Sequence, residues 1–460
     1  MPKAVLTAAL LGALALAFAG TAAADKPTTA PATVRSAFFA NWDRYARGYF
    51  VNQIPADKLN LIDYAFAFPT ASGGCGLSDA WSDYEAPTWS GDQSVDGVAD
   101  DPSNPDQHVF GNFNQLLKLK AAHPSLRVEI SLGGWTGSTW FSDAAATPAS
   151  RRAFVQSCID LFIRGNLPND PATIWPPQSG GPGVIAGLFD GFNIDWEYPG
   201  IDPGNGAHHS PQDRHNATLL LKEFRRQLDE VGAATGKHYL LTVDIPGGNV
   251  NSSGSWELHQ VADTVDWIDL LAFDYHGSWD PITGINSPFL FDPSEPPVGG
   301  GAIQWTWNTA GSVAYFLANG VPARKLSLGI PFYGKEYNGV GPTNHGLYQP
   351  HGAVPSNDSP TYHDLVDTGL ADANLTPIAP TAVTAGGTGT NGFTRYLAIA
   401  AASPFLYNPT LFGGTFISYV DPGAVAERIA LVHALGLRGA WAWEISNDDN
   451  AHDLANALSH

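Results

Sequence analysis

Asn193, Asp195 and Glu197 stand two residues apart in the run Phe189-Asp190-Gly191-Phe192-Asn193-Ile194-Asp195-Trp196-Glu197-Tyr198-Pro199. The run is apolar enough to be a buried strand. Side chains of a strand alternate between its faces, so these three share one face while Ile194 and Trp196 take the other. At a rise of ~3.3 Å per residue, successive positions on that face lie about 6.6 Å apart. Placing two carboxylates there costs desolvation and like-charge repulsion. Fold stability does not ask for that cost, so chemistry is the better explanation. Two such carboxylates cannot both ionise freely, and one keeps its proton toward neutral pH. A protonated carboxylic acid is what the cleavage of a glycosidic bond needs to protonate the leaving oxygen. A satisfied core acid is the competing reading. A Mg²⁺ or Ca²⁺ site would need more oxygen ligands than the strand supplies, so neither metal nor cofactor is expected.

The rest of the chain reads as a scaffold for this strand. Arg35–Trp42, Leu61–Phe68, Arg127–Gly134, Gly187–Tyr198, Tyr239–Pro246, Trp267–Asp274, Lys325–Pro331 and Arg438–Glu444 form eight strand-like runs. Helical spacing of apolar residues recurs in Phe113–Ala122, Ser150–Arg164, Thr218–Val231, Gly311–Asn319 and Gly423–Leu435. Eight strands alternating with helices predict an α/β fold, a parallel (β/α)8 barrel over residues 35–460. Working residues of that fold sit at the C-terminal ends of the strands, where Asp195 and Glu197 stand. A doubly wound open sheet competes, but no glycine-rich phosphate loop opens a helix here. Residues 335–415, rich in Gly, Pro, Thr and Asn, are too long for a plain loop. They read as a small α+β insertion on the barrel rim.

Residues 1–24 read as a signal peptide: Lys3, the apolar run Ala4–Phe18, and Ala22-Ala23-Ala24 before Asp25. Residues 25–34 form a Pro/Thr/Ala linker. The expectation is an exported protein, extracellular or periplasmic, with no membrane span. The net charge of −21, from 44 acidic against 23 basic residues, argues against nucleic acid as a partner. It fits a neutral or cationic substrate. The 14 tryptophans and 15 tyrosines provide aromatic faces on which sugar rings stack, although most will be core. Cys75 and Cys158 are too few for a metal cluster; they either pair in an oxidising compartment or leave Cys158 as a buried thiol.

The run Asp190-Gly191-Phe192-Asn193-Ile194-Asp195-Trp196-Glu197 resembles the D-G-x-D-x-D-W-E strand of family 18 glycoside hydrolases, the chitinases. Ser131-Leu132-Gly133-Gly134 is similar to the family's S-x-G-G. Leu271-Ala272-Phe273-Asp274 resembles M-x-Y-D, Gly329–Gly334 resembles G-x-P-x-Y-G, and Gly439–Glu444 resembles the eighth-strand motif. The likeness spans nearly the whole chain after residue 34. It implies Glu197 as general acid and then base, and Asp195 as the group orienting the substrate's N-acetyl group. It implies Trp443 as the floor under the reacting sugar, Trp135 and Trp279 along the leaving-group side, and Asp274 as an N-acetyl contact. Tyr198, Phe273, Ser131 and Gly134 complete the implied binding set. The implied reaction is substrate-assisted hydrolysis with retention, acting on chitin or chito-oligosaccharides as a monomer. An endo-β-N-acetylglucosaminidase and a silent chitin-binding lectin are the alternatives. Two positions depart from the pattern. Asn193 replaces an aspartate and cannot share a proton with Asp195. Phe273 replaces a tyrosine, removing one hydrogen bond worth ~1–3 kcal/mol at a charged centre. Asp244 could approach Asn193 in compensation, or make an ordinary barrel-interior hydrogen bond.

Overall fold

The computed structural model describes residues 33–169, 174–249, 254–297 and 305–460. The expected signal peptide lies outside the described residues, as does the linker up to residue 32. Eight parallel strands close into a barrel: β1 (Val34–Ala40), β2 (Leu61–Pro69), β4 (Arg127–Gly133), β5 (Gly191–Asp195), β6 (Leu240–Pro246), β7 (Trp267–Leu271), β8 (Leu326–Pro331) and β13 (Gly439–Trp443). β1 pairs with both β2 and β13, which closes the ring. A short β3 (Cys75–Leu77) runs antiparallel on β2.

The helices between strands start and stop on local signals. Thr147 caps Pro148–Cys158 by accepting from the Ser150 N–H, and Asp421 caps Pro422–Leu435 by accepting from Ala424. The long helix Asp213–Thr235 ends at Gly236, whose φ of 71° is the left-handed turn glycine adopts freely. Outward residues of the strands, such as Ile130, Ile194, Val243 and Leu328, bury against these helices in the main apolar core.

The inward residues are layered. Val34, Leu61, Leu240 and Trp267 plug the N-terminal end with apolar surface. Above them lies a polar belt of Ser36, Asp63, Glu129, Asn193, Thr242, Asp244, Asp269 and Ser327, all buried. Phe38, Phe66 and Trp441 cap the belt as an aromatic floor at the C-terminal end.

Beyond β8, the chain forms a second sheet of β9 (Lys335–Asn338), β10 (Thr394–Ala398), β11 (Ser403–Asn408) and β12 (Thr415–Ser418). Its order is β10-β11-β12-β9, all antiparallel. Tyr337, Val340, Phe405, Tyr407 and Phe416 give it an apolar core of its own. Between β9 and β10 the helical part is confined to short turns, Thr343–Gly346 and Asp364–Thr368. Cys75 and Cys158 are paired in a disulfide, with Cα atoms 5.0 Å apart across 83 residues of chain. It ties β3 to the helix Pro148–Cys158.

Candidate active site

β5 ends at Asp195, earlier than the expected limit of Tyr198. The backbone beyond finds its partners outside the sheet. The Glu197 N–H donates to the Ser138 hydroxyl at 3.0 Å, and that hydroxyl donates to the Gly134 carbonyl at 2.9 Å. Asn205 donates its amide to the carbonyls of both Trp135 and Glu197, at 2.6 and 3.2 Å. The loop after β4 is thereby laced to the acid. Gly133 and Gly134 permit this approach with φ of 117° and 75°. A Cβ on Gly133 would lie 2.2 Å from the Asp195 carbonyl oxygen, and one on Gly134 would lie 2.7 Å from the Phe66 ring. The Glu197–Tyr198 and Trp443–Glu444 peptide bonds are cis.

Asp195 is buried, and its Oδ1 has no hydrogen-bond partner. Burial, then the charge of Glu197, pushes its acid well up. Burial also raises Glu197, to about 7, with the charge of Asp274 adding to it and the Tyr198 hydroxyl opposing it through a hydrogen bond. An acid with that value is half-protonated at neutral pH, the state a proton donor needs.

Asn193 is held from three sides. The Ser131 hydroxyl donates to its Oδ1 at 2.7 Å. Its Nδ2 donates to Thr242 Oγ1 at 3.1 Å and to Asp244 Oδ1 at 3.0 Å. The amide therefore braces β4, β5 and β6.

β7 ends at Leu271, so Asp274 lies past the strand rather than at its last residue. The loop takes over its backbone bonds: the Asp274 N–H donates to Asn286 Oδ1 at 2.9 Å, and the Ala272 carbonyl accepts from the Ser287 hydroxyl. Asp274 sits at a φ of 54°, a left-handed conformation uncommon for a residue with a Cβ. Its carboxylate accepts the Tyr333 hydroxyl at 2.8 Å and pairs with Lys335 at 3.2 Å. Lys335 also lies over the rings of Trp279 and Tyr333, at 5.4 and 5.2 Å. The first residue of β9 is thus part of the site.

Trp443 lies 5.7 Å from Phe66 with nearly parallel rings, and 5.1 Å from Phe38. Phe273 packs edge-on against Trp441 and Tyr333. Trp135 and Trp279 stand on different loops and are 49% and 60% exposed, wide faces open to a ligand. Nine of the eleven expected residues therefore gather at the C-terminal end of the barrel; Ser131 and Asn193, paired in register, lie below them in its interior. Ser138, Tyr333 and Lys335 were not anticipated. Tyr333 is the tyrosine of the Gly329–Gly334 motif; its ring packs edge-on against Phe273 and its hydroxyl goes to Asp274. Asp63, Glu129 and Asp269 were also missed. Each is an acid at an inward position of an otherwise apolar strand, the same signal that marked Asp195.

The family model of glycosyl hydrolases family 18 matches residues 35–448. The chain belongs to glycosyl hydrolases family 18. It is 34% identical over 448 residues to chitinase A1 of Niallia circulans and 32% identical over 428 residues to chitinase C of Streptomyces lividans. Each alignment covers 91% of this chain but only 58% of the relative, so this chain spans under two thirds of their length. Among solved structures, the catalytic domain of psychrophilic chitinase B from Arthrobacter TAD20 superposes with a TM-score of 0.80 at 31% identity. That match covers 94% of this chain and 96% of the other. The eight-stranded barrel is the family 18 fold.

Proposed function

We propose that this chain is a secreted chitinase that hydrolyses β-1,4-N-acetylglucosamine linkages with retention, assisted by the substrate's own acetamido group. The observation that carries the reading is the Asp195–Glu197 pair, set at the barrel mouth above an aromatic floor. The similar proteins named chitinase support the substrate class. The sugar stacks on Trp443, while Trp135 and Trp279 support the departing chain. Glu197 gives its proton to the glycosidic oxygen as the acetamido oxygen closes on the anomeric carbon. The C–O bond breaks and an oxazolinium ring forms. Asp195 accepts the acetamido N–H and balances the positive charge; Asp274, held by Tyr333 and Lys335, contacts the same sugar. Intramolecular attack avoids the entropy of a second reactant, worth up to ~7–11 kcal/mol in favourable models. Glu197 then takes a proton from the water that opens the ring.

The antiparallel sheet supports a deep groove, because β9 leaves β8 at the end where the carboxylates stand and carries Lys335 to Asp274. Residues 335–415 act as one wall. Among the described residues no helix is long and apolar enough to cross a membrane. The test is hydrolysis of a fluorogenic chitobioside together with proton NMR of fresh products from a chito-oligosaccharide. Release of fluorophore with the β-anomer appearing first supports the reading. Binding without turnover would make the chain a lectin, and cleavage of glycoprotein glycans alone would make it an endo-N-acetylglucosaminidase.

A further inference from the structure

Asp195 is the central carboxylate of the proposed reaction, yet one of its oxygens is buried without a partner. Asn193 beneath it cannot help, since both its amide hydrogens go to Thr242 and Asp244 and its oxygen accepts from Ser131. The neighbouring strand offers another group. β5 and β6 pair Asn193 with Thr242 and Ile194 with Val243. The next positions along the two strands are Asp195 and Asp244, and the charge of Asp195 acts on Asp244. Both are inward residues on strands ~4.8 Å apart. Asp244 uses Oδ1 to accept from Asn193, and its Oδ2 is buried with no partner. Two orphaned carboxylate oxygens therefore stand on adjacent positions of adjacent strands.

We infer that Asp244 and Asp195 hold one proton in common, making Asp244 a positioning residue that sets the charge and orientation of Asp195. This rests on the role proposed for Asp195 above. With the proton on Asp244, its O–H donates to Asp195 Oδ1, and Asp195 is an oriented anion ready for the acetamido N–H. With the proton on Asp195, Asp244 carries the charge. The exchange moves one proton between two oxygens and leaves the net charge unchanged. One proton satisfies both orphaned atoms, which two bare anions cannot do.

The surroundings keep that proton in place. Asp195 and Asn193 face Asp244 from β5, Asp269 lies opposite it on β7, Thr242 shares its own strand, and Asp63 acts across the barrel from β2. Glu129 on β4 takes the Thr242 hydroxyl, and Glu197 lies beyond Asp195. The charged groups acting on Asp244 are acids, and one cation, Arg438, acts on Asp269 in the same belt. Burial and the charges of Asp195 and Asp269 all raise the Asp244 acid. The apolar plug of Val34, Leu61, Leu240 and Trp267 closes the N-terminal side.

The test compares kcat against pH for the wild type, Asp244→Asn, and Asn193→Asp/Asp244→Asn on a chito-oligosaccharide. Asparagine at 244 imitates the protonated acid but cannot exchange the proton. It should lower the maximum about three- to tenfold and move the acid limb of the bell. The acid limb moves up by ~0.5–1 pH unit, because an amide N–H stabilises the Asp195 anion less than an acid O–H. The alkaline limb stays in place, because the proton-sharing pair and the lone Asp195 anion present the same single negative charge to Glu197. The double variant returns an ionisable partner to Asp195 and should bring the acid limb back toward its wild-type position. A lower maximum with the acid limb unmoved would reduce Asp244 to a structural hydrogen bond and overturn the inference. If the variants do not fold, a carbon-13 NMR titration of the aspartate carboxyls in the wild type decides. Shared protons give two resonances moving together through two common steps; two independent single-step curves overturn the inference. The titration needs no turnover, so a wild type inactive on chito-oligosaccharides would refute the proposed function and leave the proton sharing to be judged separately.

Discussion

The two ends of β5 carry the same side-chain chemistry in opposite settings. At the base, just before the strand, Asp190 is clamped by Lys120 at 2.7 Å, Arg127 at 3.1 Å and the Val128 N–H at 3.0 Å. At the top, Asp195 and Glu197 have no Lys or Arg ion pair among the described residues; their electrostatic neighbours are Asp244 and Asp274. The base acid is neutralised and holds a strand start to the helix Gly111–Ala122 and to β4. The top acids are left uncompensated, so they retain protons. An acid in a strand is therefore not read by its type alone; the presence or absence of a cation separates an anchor from a reactive group.

Breaking the top should have the largest effect. Glu197→Gln is expected to lower kcat on a chitobioside ~10²–10⁴-fold while oligosaccharide binding, measured by calorimetry, persists. An amide has the shape of the acid and no proton to give. Retention of more than about a tenth of wild-type kcat would remove Glu197 from its role.

The pH profile sharpens the same contrast. Glu197 is raised to about 7 by burial and the charge of Asp274. In the proposed mechanism its protonated form is the donor, so kcat/KM should fall about tenfold per pH unit above that value. A profile flat to pH 9 would place the working acid elsewhere.

Stability should respond with a definite sign. Folded Glu197 and Asp63 each titrate near 7, Asp63 mainly through burial. The folded state therefore holds protons that the unfolded chain has already released above about pH 4. Their contribution to stability is greatest below the unfolded values and is lost as pH rises through about 7. Urea unfolding at pH 5 and pH 8 measures this. Equal stability, or greater stability at pH 8, would mean that the interior acids are ionised without cost.

The base gives the smallest expected change in activity. Asp190→Asn should cost about 1–3 kcal/mol in unfolding free energy, through Lys120 and Arg127 losing a partly buried anion. Its kcat and pH profile should match the wild type within about twofold, since nothing at the strand base meets the reacting sugar. A shifted alkaline limb would show that the two ends of β5 are electrically coupled.

Much of this is legible in the sequence alone. Alternation along Phe189–Pro199 places Asn193, Asp195 and Glu197 on one face, and eight apolar runs separated by helical spacing define the barrel. Strand ends were read too long at Tyr198 and Asp274. The Glu197 and Asp274 N–H groups bond instead to Ser138 and Asn286, on loops that no local pattern announces. Tyr333 shows the same limit: its position in a motif was visible, but its bond to Asp274 depends on how β8 leaves the barrel.

By itself, the sequence determined which groups could react, because alternation along a strand is a local rule of backbone geometry. It also determined the alternation of strands and helices, because apolar periodicity is local as well. Only the tertiary structure decided which acids have counter-charges. Lys120 and Arg127 reach Asp190 across 70 and 63 residues, and Asp244 meets Asn193 across 51. Strand register brings such groups together, and register follows from closing the whole barrel. The protonation of Asp195 and Glu197 depends on that closure, since burial and neighbouring charge exist only once the ring is complete.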